Sequence, residues 1–333
     1  MLANMQLLWL FAISWRKGVF VMEIDRVIDG AISYLDNLNY SSSTTNGYYE
    51  RLNLFSCYLE ENSISSIEEI SYKTIQEYLA FLRTRPRMDG KPGTISPATI
   101  NSHIKALKAM YMFLEESEGF KRNPTKNIKK LAERETIIES FTEEQAQKLL
   151  AVPGQHTFVG RRDRLLILLL LDTGLRISEA LGQRVNTIDF SQHLLKVHGK
   201  GKKDRLVPFG NRLGESLKSW IDEKQLGDTS HIFFGEYTQR VITSAAVRMN
   251  FKKYGKIAEI ANTPVRPHVF RHTFALFFLR NGGNPFVLQR IMGHSTLDMT
   301  KKYIHMLVED LQRQHTVYGP GDNLLGTPTH TVV

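Results

Sequence analysis

The sequence predicts a mainly α-helical protein of two domains carrying one small β-hairpin, and three features predict it. Apolar residues recur at helical spacing through most of residues 24–118. The run RLLILLLL at 164–171 is apolar on every face, as a helix buried at a domain centre would be. Only one clear strand–turn–strand signal appears, at 194–208. A chain of 333 residues with 42% hydrophobic content can build two cores.

Residues 24–38 form an amphipathic helix, and 40–45 are a polar break rich in Ser and Thr. A second helix over 46–60 carries Tyr48, Tyr49, Leu52, Phe55 and Leu59 at core spacing, which favours packing over base stacking. Cys57 lies in the same apolar pattern and reads as a small buried hydrophobe. A third helix covers 71–83, and RPRMDGKPGT is a loop because its Pro and Gly residues interrupt any regular element. Ser96 as cap and Pro97 at the first helical position open a helix to about residue 118.

Residues 119–140 read as a linker in which Lys121, Arg122, Lys126, Lys129 and Lys130 cluster, either a solvated surface or a strap along a polyanion. Thr142 to Gln145 (TEEQ) is a capping box that opens the second domain over 141–317. The hairpin pairs 194–198 with 205–208, and its loop holds Lys200, Lys202 and Lys203, followed by Arg205. Helical patterns return at 212–224 and 244–261, and again after Pro267. The tail over 318–333 lacks periodicity and reads as disordered.

Residues 1–22 form an N-terminal extension. Its apolar stretch is short, has no Lys or Arg ahead of it and is interrupted by Arg16 and Lys17. A signal peptide or anchor is therefore disfavoured against an extra N-terminal helix or an extension upstream of a start at Met22. With no other stretch of transmembrane length, a cytoplasmic protein without a membrane partner is expected. The single Cys57 excludes an intrachain disulfide and fits a reducing compartment. A net charge of +9 favours a polyanion such as nucleic acid.

Six residues carry the chemistry. His268 and Arg271 in HVFRH share one helical face at i, i+3. His294 in GHSTLDMTKKY stands at the entrance of a helix capped by Ser295 and Asp298, and Tyr303 follows nine positions later. Arg176 in TGLRISEAL is an anion receptor or the ion-pair partner of Glu179. Lys200 is a solvated charge or a mobile proton donor. Together they supply a nucleophile, two guanidinium forks, an ammonium donor and two imidazoles, which is what phosphodiester transfer without a metal requires. A zinc reading of His268 and His272 as H-x-x-x-H fails because Val269 stands where the zincin pattern needs Glu and no third ligand lies nearby. Neither a P-loop nor a paired-carboxylate nuclease motif is present, so no cofactor and no metal are expected.

In order and local context these residues resemble the tyrosine recombinase family, of lambda-integrase type and, in size, like the Xer resolvases. The likeness covers the C-terminal half closely and the preceding segment loosely. It implies a helical, SAM-like core-binding domain at 23–118 and an α+β catalytic domain, which together form a C-shaped clamp on double-stranded DNA. It further implies Tyr303 as nucleophile, Arg176 and Arg271 on the scissile phosphate, His268 as base or hydrogen-bond partner, His294 as donor and Lys200 as acid. Lys202, Lys203 and Arg205, with the linker lysines and Arg122, become contacts to the DNA backbone. The implied assembly is a homotetramer exchanging strands at a specific site through a Holliday junction, with accessory DNA-bending proteins as further partners. The role favoured is integration or excision of a mobile element, phage or plasmid. Xer-type dimer resolution and type IB topoisomerase-like relaxation are the alternatives, and the amphipathic segment after Tyr303 packs on its own chain or on a neighbouring protomer.

Overall fold

A computed structural model describes residues 13–16, 19–87, 92–133, 138–199 and 204–294. Beyond these it describes Thr300, Tyr303, His315, Gly319, Pro320 and Leu324. The chain divides into two compact units, Met1–Glu135 and Thr136–Val333.

The first unit opens with an antiparallel hairpin, β1 (Ile13–Arg16) with β2 (Val19–Met22). Strands here replace the expected extra helix. The segments ISWR and VFVM are rich in β-branched and aromatic residues, which favour a pleated ribbon. Four helices follow: α1 (Ile24–Asn37), α2 (Ser42–Glu61), α3 (Tyr72–Thr84) and α4 (Pro97–Glu118). Ser71 and Thr74 close a capping box on α3, and Ser96 caps α4 ahead of Pro97. Helix α2 starts inside the polar stretch taken for a break, since serine and threonine suit a first turn as well as a loop.

Leu52, Phe55 and Leu59 enter the core, whereas Tyr49 is 42% exposed. Cys57 is exposed rather than buried, because it falls on the helix face opposite Phe55 and Leu59. Residues past α4 pack on this unit instead of spanning open solvent. Ile128 joins its core, and Asn101 bonds both backbone groups of Leu131. Lys121, Lys126, Lys129 and Lys130 are exposed, and exposed Arg122 donates to the Glu68 carbonyl.

The second unit begins with α5 (Glu143–Ala151), whose capping box joins Thr142 and Gln145 reciprocally. Helix α6 (Phe158–Thr173) contains the apolar run and is the hub against which α5, α8 and α10 pack. After it come α7 (Ile177–Leu181) and a three-stranded antiparallel sheet in the order β3 (Ile188–Asp189), β4 (Leu194–His198), β5 (Asp204–Pro208). Val197 opposes Arg205 and His198 opposes Asp204 across the hairpin. Four helices complete the described fold: α8 (Asn211–Glu223), α9 (Ser244–Ile257), α10 (Pro267–Arg280) and α11 (Pro285–Met292). Thr300 and Tyr303 are helical and buried. In the tail expected to be disordered, Pro320 and Leu324 are helical, and the other residues after Gly319 lie outside the described set. So do Lys200, Lys202, Lys203 and the Ser295–Asp298 cap, and none of the described helices is long and apolar enough to cross a membrane.

Candidate active site

Two glycines shape the frame. Gly174 ends α6 with φ of +62°, and a Cβ there would meet Phe274 at 2.2 Å, so conformation and space both demand glycine. It turns the chain so that Arg176 falls at the start of α7. Gly293 ends α11 the same way, with φ of +63°, and delivers His294. Arg271, on α10, ties these two ends together: its Nη1 donates to the Gly174 carbonyl at 2.7 Å and its Nη2 to the Met292 carbonyl at 2.6 Å. Those bonds occupy two of about five guanidinium donors, leaving the remainder for an incoming group. The side chain is only 3% exposed, and burial, with Arg176 adding, lowers it to about 10, so it remains cationic at neutral pH.

Glu179 organises the cations. It accepts from Arg176 Nη1 and from the Arg176 amide, both at 2.9 Å, and receives both Nη groups of Arg205 at 2.9 and 2.8 Å. Burial alone would push this carboxyl up, but the bonds from Arg205 and Arg176 and the charge of Arg205 win and hold it at about 2. Arg205 also donates Nε to the Ile291 carbonyl at 2.7 Å. Arg205 was expected from sequence at a DNA backbone. It is turned inward and committed to three acceptors, because a strand residue facing a buried carboxylate gains more there than in solvent. Two guanidinium groups thus share one carboxylate, and Arg271 adds a third positive charge coupled to them, a local excess that an anion would complete.

The imidazoles and the phenol complete the site. Tyr303 is 3% exposed, and burial, partly opposed by Arg271, raises its hydroxyl to about 12. Its Oη lies 2.6 Å from Nδ1 of His272. The Tyr303 ring is parallel to that of His294, with centroids 6.4 Å apart, and Thr300 bonds His294 Nδ1 at 3.0 Å. Burial and then Arg271 lower both His268 and His294, the latter to about 4. His272 also falls to about 4, through burial and then His268. All three are therefore neutral at physiological pH.

Five of the six residues singled out from sequence are brought to this region, and Lys200 lies outside the described residues. His272 was weighed from sequence only as a zinc ligand, not as a partner of Tyr303. Its position four after His268, on one helix face, was the available signal. Among the described residues no three His, Cys, Asp or Glu side chains gather as a metal site would need.

The same arrangement has known relatives. Residues 139–309 match the model of the phage integrase family, and residues 32–118 match that of the phage integrase N-terminal SAM-like domain. The chain belongs to the phage integrase family. It is a tyrosine recombinase, an enzyme that cleaves and rejoins DNA strands. It is 29% identical over 305 residues to tyrosine recombinase XerC of Bacillus pumilus, covering 89% of this chain and 96% of that one. Identity reaches 31% over 233 residues with XerC of Thermodesulfovibrio yellowstonii, covering 66% of this chain and 76% of the relative. The recombinase shares its fold with the Tn1549 transposon integrase in complex with transposon right end DNA, with TM-score 0.68, 20% identity and coverage of 88% and 99% of the two chains. It also shares it with XerH bound to palindromic difH substrate, with TM-score 0.67, 21% identity and coverage of 84% and 81%.

Proposed function

We propose that this recombinase acts at one specific DNA site to resolve joined circles, as Xer-type enzymes do. The observation that carries the reading is the setting of Tyr303. Its hydroxyl is bonded to the His272 imidazole, and its charge is coupled to Arg271, which has Arg176 and Arg205 as cationic neighbours. In the proposed reaction the Tyr303 oxygen attacks the scissile phosphorus while Arg176 and Arg271 hold the non-bridging oxygens and offset the charge that builds there. His268 and His294 donate or accept at the same phosphate. By the family resemblance, Lys200 protonates the departing 5′ oxygen. A 3′-phosphotyrosyl link conserves the energy of the bond, so rejoining by the reverse path needs no ATP. Lys202, Lys203 and the exposed basic residues past α4 are proposed contacts to the DNA backbone.

Resolution is preferred to mobile-element integration because the XerC relatives match both units of the chain nearly end to end. Double-stranded DNA in the cytoplasm and, during exchange, four copies of the chain on a Holliday junction are the proposed partners. The test is covalent capture. Wild-type protein and Tyr303→Phe are incubated in EDTA with sheared DNA of the source cell, and SDS-resistant adducts are sequenced. Adducts in wild type only, at one locus whose duplication on a circle is resolved to monomers in vitro, are expected. Capture at the ends of an excisable segment would favour integration instead, and adducts persisting in Tyr303→Phe would refute the nucleophile.

A further inference from the structure

Sequence reasoning assigned the partner of the attacking phenol to His268, but a different imidazole occupies that place. Nδ1 of His272 stands 2.6 Å from the Tyr303 oxygen, while His268 lies edge-on against His272 with ring centroids 4.3 Å apart. We propose that His272 is a positioning residue for the nucleophile, its Nδ1 accepting the Tyr303 hydroxyl and fixing where the phenolic oxygen points. The inference rests on Tyr303 being the nucleophile.

Three features support it. First, Tyr303 is 3% exposed, so its hydroxyl has lost water and needs a protein partner, and His272 is the partner it has. Second, His272 follows Arg271 in sequence, and the two short bonds from Arg271 to Gly174 and Met292 pin that turn of α10 to the ends of α6 and α11. The acceptor is therefore held by the same frame that holds the proposed phosphate ligand. Third, the His294 ring lies parallel to the phenol, and its own Nδ1 is bonded to the wholly buried Thr300. His272 settles the hydroxyl, and His294 settles the plane.

Burial and the neighbouring His268 and Arg271 weaken His272 as a base, and burial keeps the proton on Tyr303 before attack. What the role requires is a lone pair at that point rather than a group that titrates.

The test compares His272→Asn, whose side-chain oxygen can take the place of Nδ1, with His272→Phe, which keeps a ring and removes the acceptor. Adduct formation is timed in EDTA on the captured duplex, with DNA affinity and thermal unfolding measured beside it. His272→Asn is expected to keep most of the wild-type rate. His272→Phe should lose about 10²-fold, the cost of misplacing an attacking group by an ångström, at unchanged DNA affinity. Equal or faster cleavage by His272→Phe overturns the proposal, as does a loss in His272→Asn as deep as in His272→Phe. A wild type that forms no adduct refutes the recombination reading instead. Nitrogen NMR of the DNA-free protein then still decides on the hydrogen bond: a proton on Nε2 with Nδ1 bare supports it, and a proton on Nδ1 overturns it.

Discussion

The two units use similar helices to different ends. In the first, the interior is apolar, and its principal buried side-chain pair is neutral, Tyr78 Oη bonded to His103 Nδ1 at 3.0 Å. In the second, Arg271, His294 and Thr300 lie buried beside the phenol, and Arg176, Arg205 and Glu179 form an ion cluster at their edge. Burial, and then the neighbouring positive charges, disfavour the cationic forms, and the lowered Arg271, His268 and His294 register that opposition to folding. Among the described residues, the first unit's buried polar atoms without a partner are scattered singly, at Arg51 Nε, Glu68 Oε2 and Tyr111 Oη, while the second gathers cationic groups about one carboxylate. That difference separates a scaffold from a candidate site, because the second gathers positive charge that an anion would offset.

The largest expected effect separates stability from chemistry. Phe55 is fully buried with its ring 4.8 Å from that of Tyr78, so Phe55→Ala should destabilise the first unit by about 3–5 kcal/mol. Denaturant unfolding would record the loss, and the adduct-forming rate of folded protein saturated with DNA should stay unchanged. A drop in that rate would mean the first unit shapes the site and would break the contrast. Next comes Arg271→Lys, which cannot bridge the Gly174 and Met292 carbonyls. A loss of roughly 10²–10³ in adduct formation is expected, comparable to removing a preorganised donor to developing negative charge.

Acid should also act on the two units unequally. His268, His272 and His294 all sit below the ordinary histidine value of 6.5, the last two at about 4, so the unfolded chain binds more protons than the folded one between those limits. Stability must then rise with pH across that window and fall as pH drops from 6.5 towards 4. In the first unit His103 alone among the described residues behaves this way. Hydrogen exchange at pH 7 and pH 5 should show protection falling faster in α10 than in α4. Glu179 extends the loss at lower pH, since its bonds to Arg205 and Arg176 are surrendered only as pH falls through the carboxylate range towards 2.

Legibility followed the range of the interactions. Ser71, Ser96 and Thr142 announced helix starts because a cap is settled within four residues. The six chemical residues were legible as a pattern, though nothing local ties Tyr303 to His272, 31 positions away. The pairing of Arg205 with Glu179, 26 residues earlier on another element, was not legible locally. An apolar run without a period could not distinguish strand from helix at residues 13–22. Cys57 looked buried because hydrophobic neighbours on a helix do not all share one face.

The smallest effect is a matched pair, one cap in each unit. Ser71 accepts the Thr74 amide at 3.1 Å, and Thr142 accepts the Gln145 amide at 3.2 Å, and in each the cap's own amide donates to the side-chain oxygen of the third residue. Replacing either by alanine removes one acceptor for an orphan amide and should cost about 1 kcal/mol. Ser71→Ala should lower amide protection in α3, and Thr142→Ala in α5, each without touching the other unit. Adduct formation should follow neither, because neither cap touches Arg271, His272 or Tyr303. If Thr142→Ala slowed cleavage while Ser71→Ala did not, the frame that fixes Arg271 would have to extend to α5. A route for this exists: the Phe141 amide beside that cap donates to Thr273, two residues after Arg271.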